Sequence, residues 1–308
     1  MKKYKYLLLT IILFIFIKNI NIVINSTYEA CILFFTKIFI SIFPFIILID
    51  ILLYYNYQDF LKNIFGKTLS KLFNINPNTS IIFILSILTG SPTNSIYIKE
   101  MLENNDIDLK TAQNTLIFSY FQSIPFVIGT IGIKLYNSFK IGLILWIFIF
   151  INNILIGLYL RKDNLRINND IKNNRPKDNL INIIKQSILK GINTSYDILG
   201  NLIIFTIIIN FIKHYINTKP IILSLISGIL EITNGVIQLY ELNIDLKLKL
   251  TLTLFILSFS GLSIIFQSLS ILSKYKLNIK RILIIKLVFS LITCLLFYLI
   301  NFFMHYTL

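Results

Sequence analysis

The stretch SIIFILSILTGSPTNSIY, residues 80–97, decides the fold of this chain. Its two ends are apolar, but residues 89–95 between them are polar and contain Gly90 and Pro92. Glycine and proline interrupt a helix, and lipid cannot hydrogen-bond the amides and carbonyls that an interruption leaves free. The stretch therefore predicts a helical hairpin that enters and leaves a membrane on the same side, with its turn buried in protein or lining a wet cavity.

A second apolar run, residues 220–240, is interrupted in the same way. Its sequence, PIILSLISGILEITNGVIQLY, is broken at residues 231–235, which include Glu231 and Gly235. A carboxylate inside an apolar run is unfavourable in a membrane and points to a function such as ion coupling or substrate contact. The alternative that Glu231 pairs with a lysine or caps a half-helix stays open. The run predicts a second broken hairpin.

Seven further apolar runs are expected to cross the bilayer as helices. The 308 residues are 56% hydrophobic and 14% charged, with a mean hydropathy of +0.76, whereas soluble domains carry about 25% charged residues. We therefore predict an all-α integral membrane protein with about seven transmembrane helices and two re-entrant broken-helix hairpins in inverted repeats. The seven crossings are 6–24, 38–55, 115–133, 139–160, 195–212, 250–272 and 282–304.

The basic residues predict the orientation. The chain has 29 Lys and Arg residues and 14 Asp and Glu residues, which give a net charge of +15. The basic residues lie in short loops between the apolar runs. This pattern predicts contact with anionic lipid and no nucleic-acid partner. If all nine runs crossed, the basic segment 161–190 would lie outside, against the positive-inside rule. With two hairpins, 21 of the 29 are cytoplasmic: 3 before residue 6, 5 in 62–110, 8 in 161–190 and 5 in 274–286. The N-terminus is then cytoplasmic, in a bacterial cell membrane.

One polytopic membrane domain, 1–308, is expected to hold all of these segments. Each half runs crossing, hairpin, crossing, crossing, which is the architecture of many secondary transporters whose substrate sites lie between inverted repeats. Amphipathic residues 59–73 and 179–192 predict helices along the cytoplasmic leaflet. The divisions are an uncleaved N-terminal span (1–24), a first repeat (25–160), a cytoplasmic linker (161–179) and a second, inverted repeat (180–308).

The substrate path is predicted at the two hairpins and at polar breaks in the crossings that follow them. A helix that starts near Pro92 would aim free N–H groups and its positive dipole end at the midplane, which suits an anionic group. In the crossings the amide side chains are the better candidates, because Ser and Gly more often serve close helix packing. The path residues are Gly90, Ser91, Pro92, Thr93, Asn94, Gln122, Ser123, Glu231, Thr233, Asn234, Gly235, Gly261 and Gln267.

Other polar residues are expected to have structural roles. Asp50 lies near the cytoplasmic boundary of its span, and Lys286 is expected to snorkel towards the cytoplasm. Cys31 and Cys294 are expected to be unrelated thiols. The sequence contains no Gly-rich phosphate loop, nucleophile elbow or paired metal ligands, so we predict no enzyme, no metal and no cofactor.

Five short motifs occur in order between residues 28 and 300. They are Phe43-Pro44-Phe45; Gly90-Ser91-Pro92; Ser123-Ile124-Pro125-Phe126 followed by Gly129-Thr130-Ile131-Gly132; Leu230-Glu231 with Thr233 and Gly235; and Gly261-Leu262-Ser263 with Gln267. In this order they resemble the sporulation integral membrane proteins of the YlbJ type in spore-forming Firmicutes, within the nucleoside-recognition (Gate) domain superfamily. The chain departs from the family pattern at Ser91, where an aromatic residue is usual, and at Ile124 and Ser260, where glycine is usual.

The resemblance implies a membrane permease that acts during endospore formation and moves dipicolinic acid from the mother cell across the outer forespore membrane. The expected partners are this small anion and the lipid bilayer, while a coupling ion and a homo-oligomer stay open. Two other functions also stay open: a non-transporting membrane scaffold of spore assembly, and a nucleoside or cation permease of vegetative cells.

Overall fold

The fold is described by a computed structural model that covers residues 2–164 and 179–303, and no strand occurs in these two ranges. Most of the linker, 165–178, and the end of the last predicted crossing lie outside the described residues. We number the helical elements of the described part in chain order: α1 (Lys2–Lys18), α2 (Ile20–Tyr54), α3 (Tyr57–Phe73), α4 (Pro77–Thr89), α5 (Thr93–Glu103), α6 (Leu109–Phe118), α7 (Pro125–Leu135, a π-helix), α8 (Phe139–Leu160), α9 (Leu180–Tyr215), α10 (Pro220–Leu230), α11 (Ile232–Glu241), α12 (Leu246–Phe259), α13 (Leu262–Ile271) and α14 (Ile279–Phe303).

Within the described ranges, five helical segments are long and apolar enough to cross a membrane: α2, α8, α9, α12 with α13, and α14. The bent pair α3 and α4, which meet at 105°, would make a sixth if counted as one span. The chain is thus a multi-pass, all-α membrane protein, as predicted. The exact count of seven crossings stays a prediction, because α1 has only 17 residues and the run 115–133 is split between α6 and α7.

Two long antiparallel helices, α2 and α9, form one side of the protein. They have 35 and 36 residues, so each is about 50 Å long and exceeds the roughly 30 Å hydrocarbon core. Near one end the Asn210 amide donates to the Ser26 hydroxyl at 2.9 Å, and near the other end the Ser187 hydroxyl donates to the Asp50 carboxylate at 2.9 Å. These contacts fix the antiparallel register.

Helices α2 and α9 each include a segment that was not predicted to be part of a long helix. The polar segment between the runs 6–24 and 38–55 is helical and contains no Pro or Gly to interrupt it. Its hydroxyls are bonded within the helix, as when Ser26 donates to the Ile22 carbonyl at 2.6 Å. Residues 179–192 were expected to form a separate interfacial helix, and instead 180–192 are the first turns of α9. Their apolar face packs on α2, where Gly191 faces Phe43.

Both interrupted runs fold back on themselves. In the first hairpin Leu85 of α4 and Tyr97 of α5 pack in one cluster, and in the second the Ser227 hydroxyl of α10 donates to the Gln238 amide oxygen of α11 at 2.9 Å. Each arm has between 10 and 13 residues, which is too short to cross a bilayer that needs about 20. Both runs are therefore folded-back pairs of short helices, and their re-entry into the membrane stays a prediction.

A broken helix and a long helix follow each hairpin. The first broken helix is α6 and α7, separated by the unwound residues 119–123, and α8 follows it. The second is α12 and α13, separated at Ser260 and Gly261, which both have positive φ, and α14 follows it. The two following helices meet where the Thr293 hydroxyl donates to the Asn152 amide oxygen at 2.9 Å. These elements enclose the main apolar core.

Polar contacts join several helix ends on one face of the protein. Asp163, just after α8, forms ion pairs with Lys110 at 3.0 Å and with Arg281 at 2.8 Å. Such exposed pairs contribute at most about 1 kcal/mol each. Asn164 adds a buried bond, donating to the Phe73 carbonyl at 2.7 Å. The ends of α3 and α8 and the starts of α6 and α14 therefore lie at the same end of the molecule.

The second hairpin depends on close contact between two glycines, which gives a test of the packing. A Cβ on Gly235 would lie 2.1 Å from the Gly228 Cα, so the backbones touch. We expect Gly235→Ala to destabilise the protein by about 1–3 kcal/mol, the usual effect of overpacking, and to lower the midpoint of thermal unfolding in detergent.

Gly200→Ala is the matched control, because a Cβ there has no atom within 4 Å. It should change stability by about 1 kcal/mol or less, in the stabilising direction expected for alanine in a helix. Equal unfolding midpoints for the two variants would contradict the close approach of α10 and α11.

Candidate substrate-binding cavity

A cavity of about 260 Å³ lies between the α2 and α9 pair and the polar breaks of the other helices. Its α2 and α9 wall is largely apolar, with Ile42, Ile46 and Ile198 among the lining residues. The opposite wall is polar and comes from both hairpin turns and both broken helices. The polar wall consists of Thr89, Gly90, Ser91, Pro92, Thr93, Gln122, Ser123, Glu231, Thr233, Ser263 and Gln267.

The first hairpin turn is bonded to the break in the first broken helix. The Ser91 amide donates to the Phe121 carbonyl at 2.7 Å, and the Asn94 side chain donates to the Ser119 carbonyl at 3.1 Å. Gly90 has a φ of +74°, and a Cβ there would lie 2.9 Å from the Ser123 amide nitrogen. Glycine is required at this position by both the backbone conformation and the close approach.

The second hairpin turn lies against the break in the second broken helix. Gly261 has a φ of +62°, and a Cβ there would lie 3.1 Å from Ile232 of the turn. Glu231 accepts hydrogen bonds from the Thr233 and Asn234 amides at 3.0 and 2.7 Å, so its carboxylate caps α11. Glu231 therefore caps a half-helix, which is one of the structural roles left open above, and it also lines the cavity.

Four helix N-termini point their first turns at the cavity. Thr93 of α5, Phe126 of α7, Thr233 of α11 and Ser263 of α13 each belong to the first turn of their helix, and each lines the cavity. The N-terminus of a helix carries unpaired N–H groups and a partial positive charge. The Glu231 carboxylate caps α11, and at the start of α7 the Phe126 and Val127 amides donate to the Ser123 carbonyl, whereas α5 and α13 have no side-chain cap. The α5 and α13 ends therefore offer partial positive charge to a ligand in the cavity.

Gln122 is the amide most available to a ligand. It is 4% exposed, it lines the cavity, and neither its oxygen nor its nitrogen has a hydrogen-bond partner within the described residues. Leaving a buried amide unpaired is unfavourable by about 1–3 kcal/mol, which a bound ligand can recover. Gln267 is less free, because its nitrogen donates to the Ser263 hydroxyl at 3.3 Å.

The structure brings nine of the thirteen predicted path residues to the cavity and places four behind its wall. Asn94 is fully buried against Ser119, and Asn234 bonds to Glu231 and to the Thr206 hydroxyl. Gly235 packs on Gly228, and Gly261 packs on Ile232. The path role of all thirteen stays a prediction, while these four hold the turns in place.

Charged residues at the cavity were missed by the sequence analysis. Asp50, expected to be a simple boundary residue, forms an ion pair with Lys190, and both line the cavity together with Glu100. Charged residues are common at the ends of amphipathic helices, so nothing in the sequence distinguished Asp50, Lys190 or Glu100 as cavity residues. Only the packing of α2 on α9 brings Asp50 and Lys190 together.

Lys286 corrects another expectation. It was expected to snorkel towards the cytoplasm, but its side chain is fully buried, with the ammonium 5.4 Å from the centre of the Tyr120 ring. Helices α8, α12 and α6 surround this part of α14. The neighbouring helices leave the side chain no route to the surface.

The chain is similar to the curated sporulation integral membrane protein YlbJ of Bacillus subtilis (strain 168). The two are 20% identical over 288 residues, covering 81% of this chain and 70% of the relative. No protein-family model and no solved structure matches the chain. The similarity supports the sporulation membrane protein family indicated by the motifs, whereas membership in the Gate superfamily stays a prediction.

Access to the cavity can be tested with cysteines at two serines of the first hairpin. In a chain with the unpaired Cys31 and Cys294 replaced by serine, Ser91→Cys should react with a small water-soluble thiol reagent, because Ser91 lines the cavity and is partly exposed. Ser95→Cys is the control, because Ser95 is fully buried four residues away. Reaction of the Ser95→Cys protein at the rate of the Ser91→Cys protein would contradict the cavity.

Proposed function

We propose that this protein is a membrane permease for a small anionic metabolite during endospore formation, with dipicolinic acid as the substrate and the outer forespore membrane as its location. The observation that carries the proposal is the convergence of two uncapped helix N-termini, those of α5 and α13, and the unpaired Gln122 amide on one cavity. The similarity to a sporulation membrane protein supplies the cellular context.

The cavity is matched in size to a small carboxylate. Its volume of about 260 Å³ is just below the range of roughly 300–1,000 Å³ that is usual for ligand sites, so a small molecule fits and a large one does not. Helix N-termini bind carboxylates through backbone N–H groups without requiring a full positive charge. The apolar α2 and α9 wall can pack against the flat face of an aromatic ring.

The proposal includes two inverted repeats around the cavity. Both halves contain a long helix, a hairpin, a broken helix and a second long helix, and in both the hairpin turn packs against the break that follows it. Broken helices paired in this way form midplane substrate sites in secondary transporters. In the proposed orientation the end that carries Asp163, Lys110 and Arg281 is cytoplasmic, in agreement with the positive-inside rule.

Cysteines in two hairpin-flanking loops test this orientation. Asn104 and Asn217 are both exposed, after the first hairpin and before the second. In the chain without native cysteines, Asn217→Cys should react with a membrane-impermeant maleimide added to intact cells, whereas Asn104→Cys should react only after permeabilisation. Labelling of both residues from outside would exclude the inverted arrangement of the hairpins.

Deletion of the gene in its spore-forming host tests the function. We expect deletion spores to contain little dipicolinic acid and to recover it when the compound is supplied externally during sporulation. Recovery by external supply, without the protein, would locate the defect in delivery. Normal dipicolinic acid in the deletion spores would reject the permease, and a spore assembly defect with normal content would favour the scaffold alternative.

A substitution at Gln122 tests whether the cavity binds the transported substrate. Because one hydrogen bond to a charged ligand contributes about 1.5–3 kcal/mol, Gln122→Ala should reduce dipicolinate uptake into proteoliposomes at low concentration by about tenfold or more. Gln186→Ala is the matched control, since Gln186 is exposed on α9 and does not line the cavity. Equal uptake by the two variants would place the substrate elsewhere.

A further inference from the structure

The cavity opens at one end, between α5 and the first turns of α9. Of the described residues that line it, the exposed ones are Ile96, Glu100 and Lys190. Residues at the polar breaks, such as Gln122 and Glu231, are buried. We call the end at Glu100 and Lys190 the mouth of the cavity.

The mouth and the polar wall lie along one route. On α9 the lining residues run from Lys190 to Leu202, which is about 18 Å along the helix axis. On α5 they run from Glu100 back to Thr93 in the first turn, which is about 10 Å. A ligand that enters at the mouth therefore passes Lys190 before it reaches the N-terminus of α5.

Lys190 is the basic residue of the cavity. No other lysine or arginine belongs to the lining within the described ranges, whereas Asp50, Glu100 and Glu231 supply three carboxylates. Since the acids outnumber the bases, an anion meets an attractive full charge at Lys190 alone among these lining residues. Entry of an anion therefore depends on whether the Lys190 ammonium is available to it.

The ion pair between Lys190 and Asp50 is fixed from the Asp50 side. The Asp50 carboxylate also accepts a hydrogen bond from the Ser187 hydroxyl at 2.9 Å, and its side chain is only 17% exposed. The Lys190 side chain is 58% exposed, and no other ion pair in the described ranges includes it. The ammonium is therefore the partner that is free to move to another anion.

Such an exchange of partners needs little free energy. An ion pair with an exposed partner changes an equilibrium by at most about fivefold. The lysine ammonium carries three donors on a flexible stem, so it can turn from one carboxylate to another. The bond from Ser187 keeps Asp50 in place when the ammonium leaves.

We propose that Lys190 is the entry residue for the transported anion, and that Asp50 holds its ammonium while the mouth is empty. The anionic group of the substrate replaces the Asp50 carboxylate at the ammonium, and it then moves along the cavity to Gln122 and the N-termini of α5 and α13. The proposal rests on the permease function given above. It adds the residue that admits the substrate from the side of segments 62–110 and 161–190, which is the cytoplasm in the proposed orientation.

Uptake of dipicolinate into proteoliposomes tests this role, because the two partners of the ion pair should act in opposite directions. Lys190→Gln should raise KM by about two- to fivefold, since the anion loses its first contact. Asp50→Asn should lower KM by about the same factor, since the ammonium is then free and the new amide can still accept the Ser187 bond. The maximal rate should stay unchanged in both variants.

Lys185→Gln is the matched control, because Lys185 is exposed on α9 and does not line the cavity. It should keep the wild-type KM, and so should Lys190→Arg, which retains the charge. A rise of KM in both Lys190→Gln and Asp50→Asn would show that the pair only holds α2 on α9, so that the entry role is rejected while the permease stands. Absence of uptake by the wild-type protein would reject the permease, and the entry role with it.

Asp50→Asn gives an independent result should Lys190→Gln fail to fold. A structural ion pair loses stability when either partner is neutralised, and it gives no reason for tighter binding of a substrate. A lowered KM in Asp50→Asn therefore supports the entry role by itself. An unchanged or raised KM in that variant would overturn it.

Discussion

Lipid cannot hydrogen-bond a protein backbone, and this constraint organises the whole molecule. A continuous helix satisfies its own amides and carbonyls, but an interrupted helix frees several of them at each side of the break. The described part of the chain has two hairpin turns and two broken helices among its apolar segments. Each break must be covered by protein, and in this structure the breaks pack against one another. The cavity lies where they meet.

The contacts between breaks are the same in kind in both halves. The turn at Gly90 lies on the unwound residues 119–123, and the turn at Glu231 lies beside Gly261. Both glycines have positive φ, and at Gly90 the close approach of the Ser123 amide nitrogen also excludes a Cβ. Since a packed interface of this kind has few alternative arrangements, each hairpin and the break it covers are expected to move together. In the proposed permease, these paired units are the elements that we expect to move during alternating access.

Acidic and basic groups both lie at the cavity. Three acids line it: Glu231 accepts from the α11 amides, Asp50 accepts from Lys190 and Ser187, and Glu100 is exposed. The N-termini of α5 and α13 have no side-chain cap, so each offers partial positive charge to a ligand. The proposed binding of an anion depends on these local groups and on Gln122, and not on the net charge of the cavity lining.

The sequence by itself determined that this is an all-α membrane protein with helical breaks near Pro92 and Glu231, because Gly, Pro and polar residues inside apolar runs have few other meanings in lipid. It did not determine the continuity of α2 and α9, since a polar segment without Gly or Pro is compatible with either a loop or a helix. It also did not separate the cavity residue Gln122 from the buried Asn94, or reveal that Lys286 is enclosed. Those outcomes depend on how each helix is rotated about its axis, and the rotation is fixed by tertiary contacts such as those of Asn94 with Ser119 and of Lys286 with Tyr120. Only the tertiary structure contains them.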